Sequence, residues 1–256
     1  MKNFIFTVDD NVRFLKELND SECQSIFEHP YMATYKRLHE KYGVKVQLNL
    51  FYETEGFDLS MMTNRYKPEW KKNSDWLKMS FHSRRENVKP YEHSGYSEVS
   101  LDRILVENAI VRFAGLDSLA KTTTIHYCLL TTEGIKAATE MRTTGLLGLY
   151  GTKASPRTSY QTEEADAARI REGEIIRQDG IAYSGIDIVL NMFSEDEILI
   201  MLDSLIGRDH IKVMIHEQYF YPDYRRYQPN FEEKLEKTFK KLRQNGYAGA
   251  FFEDII

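Results

Sequence analysis

The sequence predicts an α/β barrel made mostly of parallel strands. Short apolar runs alternate with helical patterns along all 256 residues. Strands separated by helices of about ten or more residues form βαβ units, and their strands pair in parallel. Seven or eight such strands favour a barrel over a doubly wound sheet, and the glycine-rich nucleotide-binding motifs are missing. The length suits one domain spanning 1–256.

The first half of the chain carries four predicted strands and two helices. The strands are 3–8, 44–51, 77–81 and 122–130, each apolar or rich in β-branched residues. A helix should end at Gly43, because apolar side chains recur at helical spacing before it: Tyr31, Tyr35, Leu38 and Tyr42. A similar apolar pattern predicts a second helix over 101–111, before Gly115.

The second half repeats this alternation. Extended segments are predicted at 145–150, 181–193, 211–215 and 247–252. Thr132 is expected to cap a helix that runs to about Met141. Ser194 with Glu197 forms one predicted capping box, and Asn230 with Glu233 forms another.

Composition narrows the function classes. The chain is 42% hydrophobic and 29% charged, as globular proteins are, and its net charge of −5 argues against a nucleic-acid binder. No apolar run is long enough to span a membrane. Cys23 and Cys128 are too far apart in sequence to form a clustered metal site, and the N-terminal segment lacks a signal-peptide pattern. We therefore expect reduced thiols and a cytoplasmic location.

Two adjacent acids follow the first predicted strand, Asp9 and Asp10. Neighbouring carboxylates repel each other, and a bound cation would relieve that repulsion. One carboxylate could then bind metal while the other acts as a base. The alternative is structural, with Asp10 capping a helix that begins at Asn11.

Histidines form the second group of candidates. His82 follows the third strand, and Glu86 stands four residues later, which would put both on one face of a helical turn. Imidazole and carboxylate together suit zinc, cobalt, iron or nickel. In the alternative, His82 is hydrogen-bonded at the strand end and Glu86 is solvated. His126 lies within the fourth strand, where a lone histidine is often a core residue, and His216 ends a later strand. Polar groups at several strand ends are the pattern of barrel active sites.

Two long segments, 53–76 and 83–100, interrupt the alternation after strands. The first carries Trp70 and Trp76, and the second carries His93. In a barrel both segments would lie at the carboxyl end of the strands, where aromatic side chains could stack on sugars. The alternative interpretation is that both are surface loops.

Three short motifs resemble those of the polysaccharide deacetylases, the family-four carbohydrate esterases. The run 7–10 (Thr-Val-Asp-Asp) resembles their Thr-Phe-Asp-Asp motif. The run 82–86 resembles their His-Ser/Thr-x-x-His motif, and 213–216 resembles their late Leu-x-x-His strand. The resemblance implies a distorted (β/α)7 barrel and a divalent metal, usually zinc. Carried over by position, it makes Asp9 the general base, Asp10 and His82 metal ligands, and His216 the general acid.

The sequence departs from this family pattern at defined positions. Glu86 stands where the family has its second metal histidine, and His126 or His93 could supply a replacement ligand. Arg112 keeps the arginine of the family's Arg-x-Pro-Tyr motif but lacks the proline, and Asn11 replaces the glycine after the acid pair.

The resulting expectation is a metal-dependent hydrolase that removes an acetyl or similar acyl group from an amino sugar or polysaccharide precursor. Two alternatives stay open. One is a metal-independent glycosidase, in which Asp9 and either Glu217 or Glu253 flank a sugar bond. The other is a barrel that binds a saccharide without cleaving it. Measured metal content separates the glycosidase from the hydrolase.

Overall fold

The computed structural model describes residues 2–90, 92–151 and 154–256. Its strands are β1 (Asn3–Asn11), β2 (Val46–Phe51), β3 (Glu53–Thr54), β4 (Phe57–Asp58), β5 (Leu77–Ser83), β6 (Thr122–Thr123), β7 (Gly145–Gly148), β8 (Ile176–Gln178), β9 (Ile181–Gly185), β10 (Ile188–Val189), β11 (His210–His216) and β12 (Ala248–Ala250). Its α-helices are α1 (Arg13–Asp20), α2 (Pro30–Tyr42), α3 (Lys67–Lys72), α4 (Tyr96–Phe113), α5 (Thr132–Glu140), α6 (Glu164–Arg171), α7 (Glu195–Leu205) and α8 (Phe231–Gln244).

The strands form a distorted (β/α)7 barrel, as predicted. One sheet has the order β10-β11-β1-β2-β5, with β12 beside the start of β1, and a second has the order β6-β7-β9-β8. Met79 of β5 forms a parallel bridge to Leu119, just before β6, which joins the two sheets on one side. Among the described strands, only the β3–β4 and β8–β9 pairs are antiparallel.

Side chains of β1 alternate between two environments, since successive residues of a strand point to opposite faces. Phe4 and Phe6 pack outward against helices; the ring of Phe6 lies 4.9 Å from that of Phe239 on α8. Ile5 and Thr7 point the other way, into the barrel. The outward face is the main hydrophobic core, and the inward face leads to Asp9 at the carboxyl end of the strand.

Polar side chains fill the barrel interior next to the carboxyl end of β1. Gln47 donates to the side chain of Asn49 and to the carbonyl of Thr122, and Ser80 also donates to Asn49. All four residues are buried. This network satisfies polar groups inside the barrel and fixes the side chain of Asn49.

Several predicted elements have different limits. The strand predicted at 122–130 is much shorter: β6 ends at Thr123, and a 3₁₀ turn over His126–Cys128 follows, in which Tyr127 takes a left-handed conformation (φ 60°) that no strand could continue through. The segment 181–193 divides into β9, β10 and a 3₁₀ turn. Asn230 does not form the predicted capping box; its amide donates to Glu195 on α7 instead.

Other local predictions are confirmed. Gly43 ends α2 in the left-handed conformation (φ 64°), and Ser194 with Glu197 forms the predicted capping box of α7. The cap of α5 is Thr131, one residue before the predicted position. No helix in the described ranges has the length and apolar character needed to cross a bilayer.

Candidate metal centre

Three side chains converge at the carboxyl end of the barrel: Asp10, His82 and His126. A carboxylate oxygen of Asp10 lies 3.1 Å from His82 Nε2 and 3.5 Å from His126 Nδ1. The two imidazole nitrogens are 3.2 Å apart. One ligand atom from each residue lies within 4.8 Å of the others, which is compact enough for one shared cation.

A backbone irregularity brings both acids of the Asp9–Asp10 pair to this end. Val8 pairs with Leu48 but Asn11 pairs with Leu50, so β1 carries one extra residue against β2. Asp10 takes a left-handed backbone conformation (φ 64°) within this bulge. In a regular strand the two carboxylates would point to opposite faces, whereas here both line one cavity.

When its ring is neutral, each histidine turns an unprotonated nitrogen toward Asp10. The Nδ1 atom of His82 donates to the backbone carbonyl of Thr124, and His126 Nε2 donates to the carbonyl of Glu86 at 3.1 Å. A carbonyl only accepts hydrogen bonds, so these nitrogens carry the protons of the neutral rings and the other two expose lone pairs. Two lone pairs and a carboxylate facing one another form a donor set that suits a divalent cation, and outer hydrogen bonds of this kind orient imidazoles in metal sites.

Electrostatics at the centre agree with this donor set. Burial opposes ionisation of Asp10, but the hydrogen bonds that His126 and His82 donate when their rings are positively charged outweigh it and hold the pKa of Asp10 well below its usual value. Burial also opposes charging of His82, yet the nearby charges of Asp9 and Asp10 leave the pKa of His82 raised. The site therefore favours positive charge beside the Asp10 carboxylate, which a bound cation would supply.

Asp9 lies beside the three-residue cluster and has a different environment. Its carboxylate accepts a 2.6 Å hydrogen bond from the amide of Asn49. Burial raises the pKa of Asp9, with only partial compensation from His82, His216 and this hydrogen bond. A carboxylate whose pKa is raised holds a proton more readily, as a general base requires.

His216 ends β11 and is the register partner of Asp9 on β1. Its Nδ1 lies 2.8 Å from the side-chain oxygen of Asn191, so Nδ1 donates and Nε2 is the nitrogen available for proton transfer. The backbone carbonyl of Asn191 accepts a hydrogen bond from Gln228, which fixes the turn that carries Asn191.

These side chains line a cavity of about 270 Å³. Tyr127 and Tyr219 contribute aromatic walls, and Arg157 and Gln218 contribute polar ones. Gln218 donates to the second oxygen of Asp10 at 2.8 Å. A neighbouring groove of about 570 Å³ shares Asp10 and Gln218 with this cavity. Together they give room for an elongated polar ligand.

Two other predicted ligands are not part of the cluster. Glu86 contributes its backbone carbonyl to His126, while its side chain lines the neighbouring groove. His93 lies on the loop before α4, where its Nδ1 pairs with Asp102 at 2.8 Å. The structure thus places His126 rather than either of these beside Asp10.

The prediction that Trp70 and Trp76 line a sugar groove is wrong. Trp70 is fully buried and packs against Phe113 of α4. Trp76 is only 4% exposed and stacks on His39 at 4.3 Å. Trp76 also precedes β5, so it lies at the opposite end of that strand from His82. Both indoles belong to the hydrophobic core.

The structure also rejects the helix-cap interpretation of Asp10. Helix α1 begins at Arg13, and the Glu217 carboxylate accepts hydrogen bonds from the backbone N–H groups of Val12, Arg13 and Phe14. A carboxylate at a helix N-terminus satisfies donors that have no partner within the helix. Glu217, not Asp10, has this role.

The same contacts weigh against the paired carboxylates of the glycosidase alternative. Both oxygens of Glu217 are occupied at the start of α1, and one also accepts from Tyr221. Glu253 pairs with Lys78 and lines a cavity at the amino end of the barrel. Neither glutamate shares the cavity of Asp9.

Sequence reasoning missed several residues of the site. The alternation of β2 could have placed Asn49 inside the barrel, since Gln47 and Asn49 are polar residues two apart in an otherwise apolar strand. Nothing in the sequence pointed to Asn191, Tyr127 or Arg157, because each lies in a loop or turn whose path the local pattern does not determine.

Comparisons with known proteins connect this chain to others by structure alone. No protein-family model matches it, and no curated protein does. Solved structures do match. The Bc1960 peptidoglycan N-acetylglucosamine deacetylase superposes with a TM-score of 0.56 at 14% identity, over 99% of this chain and 87% of that one.

Two further solved structures that match this chain are named for other reactions. The 4-alpha-glucanotransferase of Thermococcus litoralis has a TM-score of 0.60 at 12% identity, and this chain covers 40% of it. A putative cellobiose-phosphate cleavage protein from Enterococcus faecalis V583 has a TM-score of 0.52 at 12% identity, with 99% and 98% of the two chains covered. The chain therefore has the barrel fold of a polysaccharide deacetylase, as the sequence resemblance predicted, in a fold that also carries other activities.

Proposed function

We propose that this chain is a metal-dependent hydrolase that removes an acetyl or similar acyl group from an amino sugar or polysaccharide precursor. The observation that carries the proposal is the convergence of two imidazole lone pairs and one carboxylate at the rim of a polar cavity. Two imidazoles and a carboxylate suit zinc. His126 takes the ligand position for which Glu86 was the candidate from sequence.

Each side chain then has a distinct role. Asp10, His82 and His126 would hold the cation, which supplies a polarised carbonyl and a more acidic water when bound. Asp9 accepts the proton of the attacking water, since burial raises its pKa and Asn49 holds its carboxylate in place. Nε2 of His216 delivers a proton to the leaving nitrogen, while Asn191 keeps Nδ1 protonated.

The cavity walls support a saccharide substrate. Tyr127 is 41% exposed, and its ring lies 4.1 Å from that of His126. Tyr219 lies on the side of His216, with ring centroids 6.1 Å apart. Aromatic faces on both sides of the cluster can stack on the apolar faces of a sugar ring. These tyrosines replace the buried tryptophans as the proposed sugar contacts.

Metal analysis with matched acid variants tests the proposal. Purified protein should retain zinc, and hydrolyse acetylated sugars or an activated acetyl ester only while metal is present. Asp10→Asn should lose metal, because the cluster loses its only charge. Asp9→Asn should keep metal and lose about 10²–10⁴-fold in rate, as expected for a missing general base.

The control is Asp196→Asn, an exposed acid on α7 outside the cavity, which should change neither property. Full metal and full activity in both site variants would overturn the proposal. Saccharide binding with bound metal but no hydrolysis would instead support a non-catalytic barrel. Cleavage of a glycosidic bond without metal would support the glycosidase.

A further inference from the structure

Among the described residues, Arg157 is the one arginine or lysine on the wall of the cavity that holds Asp10, His82 and His126. Its guanidinium donates to the backbone carbonyl of Tyr127 at 2.7 Å and forms no ion pair with any carboxylate of the described residues. Arg157 is exposed, so its remaining donor groups face water at the mouth of the cavity and are available to a ligand. A guanidinium has five N–H donors in a planar fork that fits carboxylate or phosphate oxygens in pairs.

The backbone around Arg157 is tied to the barrel on both sides. Gly151 bridges Pro156, directly before the arginine. The hydroxyl of Ser159 accepts from the backbone N–H of Leu149 and donates to its carbonyl. Tyr160 donates its hydroxyl to the carbonyl of Leu147 on β7. Arg157 is thus presented from an anchored segment, which lowers the entropy cost of binding a ligand.

The neighbouring groove has the opposite charge. Glu55 and Glu86 line it and form no ion pair within the described part of the chain. Its two arginines are already paired, Arg13 with Glu17 and Asp223, and Arg85 with Glu53. An elongated ligand across the cluster would therefore meet positive charge at Arg157 and negative charge beyond Asp10. Such an asymmetry selects one orientation of a charged ligand.

We infer that the acylated substrate carries an anionic group, a carboxylate or a phosphate ester, and that Arg157 binds it. The inference rests on the proposed function in one respect, that the anchored molecule is the acylated sugar. Arg157 is then a specificity-determining residue, because only an anionic sugar can replace the water on its exposed donors with charge-assisted hydrogen bonds. The neutral or amine-bearing part of the ligand would extend toward Glu55 and Glu86.

Binding to the zinc-loaded protein tests this inference without requiring turnover. The probes are neutral N-acetylglucosamine, its 6-phosphate and N-acetylmuramic acid. The last two carry a phosphate ester and a carboxylate, so their affinities show which of these anionic groups is preferred. Titration calorimetry should show at least one anionic sugar binding about three- to fivefold more tightly than the neutral sugar, near the upper end of the range for a solvent-exposed ion pair. Arg157→Gln should abolish this preference and leave the affinity for the neutral sugar within about twofold.

Arg177→Gln is the matched control, since Arg177 is exposed on β8 and lines the cavity at the other end of the barrel. It removes the same charge and should leave all three affinities unchanged. Arg157→Lys should restore part of the preference, because it keeps the charge without the planar fork. Equal affinities in the wild type, or an anion preference that persists in Arg157→Gln, would overturn the inference.

Deacetylation measured on the same three sugars keeps the two proposals apart. An Arg157-dependent preference in binding, with no deacetylation of any sugar, leaves this inference standing and removes the hydrolase. Deacetylation that is indifferent to the anion and to Arg157→Gln leaves the hydrolase standing and removes this inference.

Discussion

Replacing His126 by alanine should weaken metal binding far more than replacing Glu86 by glutamine. His126 Nδ1 lies within 3.5 Å of both other ligand atoms of the cluster. Glu86 contributes only its backbone carbonyl, which the substitution Glu86→Gln leaves in place. The pair of variants therefore compares the ligand placed by the structure with the ligand predicted from the family motif.

The expected magnitudes follow from the number of ligands. The apparent free energy of zinc binding to structural sites with four protein ligands is about 10–16 kcal/mol, or roughly 3–4 kcal/mol per ligand. Loss of one of the three ligands here should then raise the metal Kd by about 10²–10³-fold. Glu86→Gln removes a charge near the centre but no ligand, so its effect should stay within about fivefold at the dielectric of a partly exposed site.

Competition with a zinc chelator measures both dissociation constants, and thermal unfolding of the metal-free variants checks that each remains folded. The side chain of His126 is 13% exposed, so its truncation leaves a gap that solvent can reach. A Kd for Glu86→Gln that rises as much as that for His126→Ala, or an unchanged Kd for His126→Ala, would refute the assignment of ligands.

Three further substitutions test neighbouring parts of the structure. Asn49→Ala removes a hydrogen bond that lowers the pKa of Asp9, so that pKa should rise. Because the basic form of Asp9 is lost as pH falls through its pKa, the acid limb of kcat/KM should shift to higher pH; an unshifted profile would exclude Asp9 as the base. Glu217→Gln puts an amide N–H where the carboxylate accepts backbone donors of α1, and should cost about 1–3 kcal/mol for each orphaned N–H in urea unfolding. Trp70→Ala should cost about 3–5 kcal/mol of stability with sugar affinity retained, whereas an exposed groove residue would give the reverse pattern.

Local patterns in the sequence were sufficient for the barrel and for most of its strand ends. Apolar alternation located β1, β2, β5 and β11, and their carboxyl ends placed Asp10, His82 and His216 at one end of the barrel. Parallel strands joined by helices all end on the same side, so this inference needs no knowledge of side-chain contacts.

The third ligand and the position of the tryptophans depended on tertiary structure. His126 lies in a 3₁₀ turn in which the backbone changes direction at Tyr127. The spacing of residues along the chain cannot predict that this turn brings His126 next to His82. Trp70 and Trp76 follow a strand in sequence, yet the chain between β4 and β5 packs back into the core and buries both.

The sequence alone determined that two acids (Asp9 and Asp10) and two histidines (His82 and His216) lie at the ends of strands of one α/β barrel. The local apolar pattern predicts where each strand begins and ends along the chain. Only the tertiary structure decided which of these acids and histidines meet. A bulge in β1 turns Asp10 toward His82. Contacts between residues distant in sequence bring in His126, set the tautomers of the neutral His82 and His126 rings, and cap α1 with Glu217. These features depend on hydrogen bonds between residues about 40 to 200 positions apart, which no local pattern can specify.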